Sequence, residues 1–285
     1  MSKIAIVADS TSDIPLDLIQ QHNIYIAPLH LQWDGVDYAD YADGVGMTAQ
    51  EFCAKLRTSN TLPGSGSASI EDFLRIFTKL RGKVDGVVAI LLGSRMPSTA
   101  VKFCGIAKEE VTDLPIEIID SGIDLVGLGL VVLAAARVAG TGADMETVVN
   151  VARETIPKVH IYYTPGDMEY TMRGARVHKV ETGPAREELK ASYIITFKDG
   201  RMVPLETRPA HEEAVDRMLQ LMREQVTNTP LHAAVQYAEV LDEAKSLRDK
   251  IASEFKCTEL WISEETPVML SHLGPGSLGL AFYNE

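Results

Sequence analysis

Apolar residues along this chain fall into short unbroken runs, each closed by a polar turn and followed by residues at helical spacing. The first run, Ile4 to Ala8, predicts a strand buried on both faces, and Asp9-Ser10-Thr11-Ser12-Asp13 follows at once as a polar turn. That turn predicts a helix start: Asp13 is placed to cap the first free N–H groups, Pro15 sits where a missing N–H costs nothing, and Leu16, Leu18 and Ile19 form an apolar face. Ile24 to Leu31 reads as a second buried strand, leading into an acidic, tyrosine-containing loop from Asp34 to Gly46. Thr48 with Glu51 is a capping box for a helix through Leu56. Leu62-Pro63 and the small residues 64–68 break the chain, and Ser69 with Asp72 opens a helix that turns Phe73, Leu74, Ile76, Phe77 and Leu80 inward.

The cycle then repeats. Val87 to Leu92 is a strand, Gly93 to Thr99 a small polar loop, and a helix runs through Glu110. Ile116 to Ile119 is a fourth strand ending in Asp120-Ser121, followed by an apolar helix from Leu125 closed by Gly140, and by a helix from about Asp144 to Thr155. Strand, polar turn and helix in alternation predict a parallel sheet with helices on both faces. In such sheets ligands bind beyond the carboxyl ends of the strands, which puts the expected site beside the first turn.

Beyond about Pro157 the rhythm changes. Residues 161–163, 193–197, 202–205, 233–237, 259–262 and Val268 to Ser271 read as strands, with two clear helices among them, Glu212 to Val226 and Glu243 to Phe255. Lys198-Asp199-Gly200 is a hairpin turn. The expected fold class is therefore α/β in two domains: residues 1–157 around a parallel sheet, and residues 158–285 around a mixed or antiparallel sheet with helices.

Composition narrows the function classes. At 285 residues, with 46% hydrophobic and 24% charged residues, each domain has enough apolar surface for its own core. A net charge of −13 with no basic cluster argues against nucleic acid or an anionic membrane as the main partner. Cys53, Cys104 and Cys257 are odd in number and lack metal-ligand spacing, which predicts reduced thiols buried as small hydrophobes in a cytoplasmic protein. The N-terminus shows no secretory pattern, and the longest apolar run, Leu125 to Ala136, is too short to span a bilayer.

The candidate chemistry is sparse. Asp9 and Asp13 stand four apart with hydroxyls between, which is the wrong spacing for a phosphoryl-transfer pair. Their turn either meets a ligand or only satisfies the strand end and the helix start. Gly274, Gly276 and Gly279 spell G-x-G-x-x-G, but no long helix and no acid about 20 residues on follow them, so the dinucleotide reading fails. Neither a nucleophile elbow, a zinc pattern nor a phosphate-binding loop occurs. What remains is a set of hydroxyls at strand ends with His272 beside glycines, a toolkit suited to holding an anion's oxygens.

Taken in order, these pieces resemble the DegV family of bacterial fatty-acid-binding proteins. The resemblance rests on Lys3-Ile4-Ala5-Ile6-Val7-x-Asp9-Ser10-Thr11-Ser12-Asp13-Ile14-Pro15, Pro28-Leu29, the loops at 62–69 and 94–99, and Ile119-Asp120-Ser121. It continues through Arg173-Gly174-x-Arg176, the Asp199-Gly200 hairpin with Arg208, and His272-Leu273-Gly274-Pro275-Gly276. The resemblance implies a long-chain fatty acid held between the two domains without any cofactor, its tail in an apolar tunnel. Its carboxylate is expected near Ser65, Ser94, Ser98, Thr99, His272 and Gly274, where a separate fatty acid kinase meets it, with Arg176 on the kinase-facing surface. Ser65 stands where the family has threonine, Gly66 and Ala68 replace serine and proline, Ala175 replaces glycine, and Pro97 replaces a serine, removing a hydroxyl and an N–H. Two further readings use the same residues: a small-molecule enzyme with His272 as general base oriented by Asp9 or Asp120, and a regulatory module with a vestigial cleft.

Overall fold

The computed structural model describes residues 1–40, 46–96, 98–166, 170–171, 191–227 and 230–285. In chain order the first half gives β1 (Ile4–Asp9), a 3-10 turn (Ser10–Ser12), α1 (Leu16–His22), β2 (Tyr25–Ala27), β3 (His30–Trp33), β4 (Val36–Ala39) and α2 (Ala49–Thr58). Then come β5 (Gly64–Gly66), α3 (Ile70–Leu80), β6 (Gly86–Leu91), α4 (Ala100–Glu109), β7 (Ile116–Asp120), α5 (Leu125–Gly140) and α6 (Met145–Thr155). The second half gives β8 (His160–Thr164), β9 (Ser192–Lys198), β10 (Arg201–Arg208), α7 (His211–Gln225) and β11 (Leu231–Tyr237). It ends with α8 (Leu241–Glu254), β12 (Cys257–Glu264), α9 (Pro267–Leu273) and β13 (Leu278–Asn284).

All six residues of β1 and of β6 are buried, so these strands need cover on both faces, and the sheet order β2-β1-β6-β7 provides it. Every pair in this sheet is parallel. Ile4, Ile6, Ala8, Val88 and Ile90 face α5 and α6, while Val7, Val87, Ala89 and Leu91 face Phe73, Phe77 and Cys104 of α3 and α4. The second sheet runs β10-β9-β8-β13-β11-β12 and is mixed: β11 and β12 are parallel and the other pairs antiparallel. Asp199 (φ 51°) and Gly200 (φ 74°) make the β9–β10 turn in the left-handed region, as the Asp-Gly pair predicts.

Helix α5 joins the two sheets. Residues 125–136 are all buried because β1 and β6 lie on one side and β11 and β13 on another. A helix apolar on every side belongs in such a place. Close approach is possible only because Gly129 has no side chain: a methyl group there would lie 2.5 Å from the Ser12 carbonyl oxygen. One apolar cluster consequently runs from Ile6 through Leu128 to Ile195 and Ala281. Among the described residues, no helix is long and apolar enough to cross a membrane. Cys53 and Cys104 are buried and Cys257 half-buried, all as free thiols.

Four sequence expectations need correction. Residues 24–31 do not form one strand: Pro28 interrupts the run, β2 ends at Ala27, and β3 starts a separate antiparallel sheet of order β4-β3-β5. Its β3–β4 turn, Asp34-Gly35, lies inside the stretch expected to be loop and has φ of 53° and 79°. The small-residue break at 64–68 contains β5, which pairs with β3. Val268 to Ser271 lies in helix α9, not in a strand. Pro267 occupies its first turn, and the side chains at 268–270 and at 273 are buried on more than one side, so periodicity could not separate the two states. The strand in this region is β13, at the glycine-rich end, between β8 and β11.

Candidate functional site

The opening polar turn is buried from Asp9 to Asp13 and spends its polar groups on distant parts of the chain. Asp9 accepts hydrogen bonds from the Leu92 amide (2.7 Å), the Thr11 amide (3.1 Å) and Thr11 Oγ1 (2.6 Å). Burial outweighs these bonds and pushes the Asp9 carboxyl up to about 6. Ser10 Oγ accepts from the Leu29 amide (3.0 Å) and donates to Asp40 Oδ2 (2.6 Å), and Ser12 Oγ donates to the Asp9 carbonyl (2.9 Å). These contacts support the structural reading of the turn's hydroxyls.

Asp13 does not cap α1, which begins after Pro15 with no side-chain cap. It sits at φ 45° and turns its carboxylate across to the second half of the chain. Oδ1 accepts from the Thr266 amide (2.9 Å) and Oδ2 from Gln236 Nε2 (2.6 Å), while the Asp13 carbonyl accepts from Ser263 Oγ. Burial, then the nearby Glu265, Asp40 and Asp124, hold this carboxyl well above its usual range. Asp40 Oδ1 accepts from the Val268 amide (2.9 Å). The first amides of α9 are thus fastened by two aspartates from the other end of the chain. Along α9, Val268 and Leu270 pack under the small sheet, while Met269 and Leu273 enter the α5 core. His272 on the same helix is buried.

His272 Nε2 lies 2.8 Å from Ser65 Oγ on β5. Beside that contact, Ser67 Oγ accepts from the Thr99 amide (2.8 Å) and lies 3.3 Å from Ser98 Oγ, which in turn accepts from the Ala100 amide (3.2 Å). The first loop therefore caps the start of α4 from outside, because Thr99 makes no side-chain cap of its own. The structure brings Ser65 to His272, and Ser98 and Thr99 to Ser67. Ser94 points elsewhere: its amide (2.9 Å) and its hydroxyl both donate to Asp120. Gly274 follows α9 at φ 77°, and a methyl group there would lie 2.8 Å from the Tyr170 ring. Pro97 and Arg176 lie outside the described residues. Neither Asp9 nor Asp120 is hydrogen-bonded to His272. Asp120 is used by Ser94 and the Gly122 amide (3.3 Å), so neither orients an imidazole base.

A cavity of about 410 Å³ opens beside the first turn, lined in part by Ser12, Asp13, Ile14, Thr48, Gln50 and Ser263. None of the expected carboxylate-binding residues lines it. Two of the residues that order the region, Ser67 and Asp40, carried no distinguishing sequence signal. Gln236, a polar residue in the middle of a buried strand, did carry one. Among the described residues no group of His, Cys, Asp and Glu is arranged to hold a metal. The set of Ser65, Ser67, Ser98 and His272 offers hydroxyl and imidazole hydrogen bonds without a fixed charge, a chemistry suited to a carboxylate.

Comparison with known proteins identifies the family and the fold. The model of the DegV family, described as uncharacterised proteins, matches residues 3–285. A DegV domain-containing protein of Caldanaerobacter subterraneus is 31% identical over 99% of this chain and 99% of its own. A solved DegV family protein from Thermus thermophilus, described by its fatty acid binding, is 25% identical, covers 100% of both chains and superposes with a TM-score of 0.88. The structure of DegV from Bacillus subtilis, described as a fatty acid binding protein, is 24% identical over 100% of both chains, with a TM-score of 0.91. This chain is a member of the DegV family.

Proposed function

We propose that this protein is a non-catalytic carrier in the cytoplasm, holding a long-chain fatty acid between residues 1–157 and residues 158–285 and presenting its carboxylate to a separate fatty acid kinase. The carboxylate is received by Ser65, Ser98 or Thr99, and His272. The observation that carries the reading is the meeting of Ser65 with His272 and of Ser67 with Ser98, set against one apolar core. Met96, Met269 and Leu273 belong to that core and flank these loops in sequence, with Met202 and Ile195 from the second sheet. Unbranched methionines repack readily, which suits a core that admits an acyl chain. The Thermus thermophilus relative, described as binding fatty acid, supports the same ligand class.

Magnitudes favour retention. Burying a tail of about sixteen carbons at about 0.8 kcal/mol per methylene outweighs one lost carboxylate hydrogen bond of about 1.5–3 kcal/mol at the serine that Pro97 replaces. The test is denaturing mass spectrometry of lipid extracted from the purified protein, alongside a Ser65→Ala, His272→Ala double variant. Stoichiometric fatty acid in the first and depletion in the second is the expected result. A wild-type protein that is empty and takes up no added fatty acid would overturn the reading.

A further inference from the structure

The loop that carries Ser65 and Ser67 is gripped at both ends by one residue of β3. At its start, the His30 backbone pairs with Gly66. At its end, Ser69 caps α3 in a capping box with Asp72, and Asp72 Oδ2 lies 2.8 Å from His30 Nε2. The other ring nitrogen, Nδ1, lies 2.9 Å from Asp37 Oδ2 on β4. His30 thus closes residues 66–72 into a ring that carries Ser67, with Ser65 immediately before it on β5.

Both ring partners are carboxylates, and an ionised carboxylate only accepts hydrogen bonds. Asp72 has no proton to give: its Oδ2 also accepts from the Ser69 amide (2.9 Å) and Ser69 Oγ (2.6 Å), and its Oδ1 from Arg75 Nη2 (2.5 Å). Two acceptors at hydrogen-bond distance require a donor on each nitrogen. A neutral imidazole has one.

We propose that His30 is a positioning residue that orders the Ser65 and Ser67 hydroxyls only as an imidazolium, so that ligand binding at these hydroxyls weakens when His30 loses its proton. The ligand part of this statement rests on the carrier reading; the ordering of the loop does not. Among the described residues, the charged groups facing the ring are Asp37 from β4, Asp72 from α3, and Arg75, which is bound to Asp72; β5 contributes none. Partial burial disfavours the charged ring, but the bonds to Asp72 and Asp37 outweigh it and raise its pKa above 6.5. A raised histidine gives a clamp that is complete below pH 6.5 and lost as pH rises through the raised value.

The experiment uses the full chain and two variants, His30→Gln and Asp37→Asn. Amide hydrogen-exchange protection of residues 64–69, corrected for intrinsic rates, is measured at pH 6 and pH 9 together with the ¹⁵N signals of the His30 ring. Affinity for cis-parinaric acid is read at both pH values. In the wild type both ring nitrogens carry protons at pH 6, and protection falls about tenfold at pH 9, with affinity falling several-fold alongside. His30→Gln is weakly protected at both values. The amide of Asp37→Asn both donates and accepts, so a neutral ring satisfies it and protection persists at pH 9. A singly protonated ring at pH 6, or wild-type protection that does not change with pH, would overturn the proposal. So would an affinity ratio between wild type and His30→Gln that is constant with pH while the probe binds. If protection behaves as expected but the probe binds at neither pH, the clamp stands and the carrier reading fails.

Discussion

Replacing Asp13 by alanine removes the carboxylate that accepts from the Thr266 amide and from Gln236 Nε2. Each bond to an ionised acceptor is worth about 1.5–3 kcal/mol, so the gross loss is about 3–6 kcal/mol. Alanine at φ 45° adds roughly 1 kcal/mol of backbone strain. Against these stands the relief of a buried acid whose pKa is held well above its usual range, since every tenfold change in its proton affinity corresponds to about 1.4 kcal/mol. The relief lowers the gross figure without cancelling it, so the variant is destabilised. Asparagine keeps one acceptor, tolerates the left-handed backbone and carries no charge. It leaves one N–H group facing the amide nitrogen, for a loss of about 1–2 kcal/mol. Equilibrium urea unfolding reads both values. Exchange of the amides of Thr266 and of residues 268–270 should quicken in the alanine variant, because the start of α9 is released. An asparagine variant as unstable as alanine, or an alanine variant within about 1 kcal/mol of wild type, would refute the assignment of Asp13 as the tether of α9.

Two further outcomes follow from close contacts and buried acids. Gly129→Ala gains about 1 kcal/mol of helix propensity but drives a methyl group against the Ser12 carbonyl, costing about 1–3 kcal/mol, so it destabilises; Gly105→Ala, with open space around it on α4, stabilises by about 1 kcal/mol, and thermal unfolding of the pair checks the contrast. Burial pushes Glu265 from 4.5 up to about 8, so the folded state binds the extra proton across that window and stability falls as pH rises through it. Glutamine retains an acceptor for Tyr163 Oη and Ser277 Oγ, so Glu265→Gln should gain stability on wild type by up to about 1.4 kcal/mol per pH unit between those values; parallel pH profiles would refute it.

The legible features were the local ones. The capping boxes Thr48–Glu51 and Ser69–Asp72 span three residues each, and both form as the spacing predicts. The all-apolar runs of β1 and α5 stated that each is covered on every side, without naming what covers them. Residues 268–271 failed the reading because three consecutive buried apolar positions, Val268 to Leu270, satisfy strand and helix alike, and the Thr266-Pro267 start signal was the clue that separated them. Of the expected carboxylate-binding residues, Ser65 and His272, which the family resemblance groups in one site, meet across 207 positions of sequence. Ser94 was named by its place in a loop, but its hydroxyl belongs to Asp120.

The amino-acid order alone specified the alternation of strands and helices, the parallel character of the first sheet and the hairpin at Asp199-Gly200, because these follow from periodicity, steric limits and short-range hydrogen bonding; the family was legible only as a resemblance of motifs in order. Packing in three dimensions settled what the polar residues of the first turn do. Asp13 reaches partners 223 and 253 residues away, and Asp40 one 228 away. No local rule chooses among so many possible donors. Burial does, because an acid removed from water must take whichever donors the packing of α5 against both sheets has brought beside it.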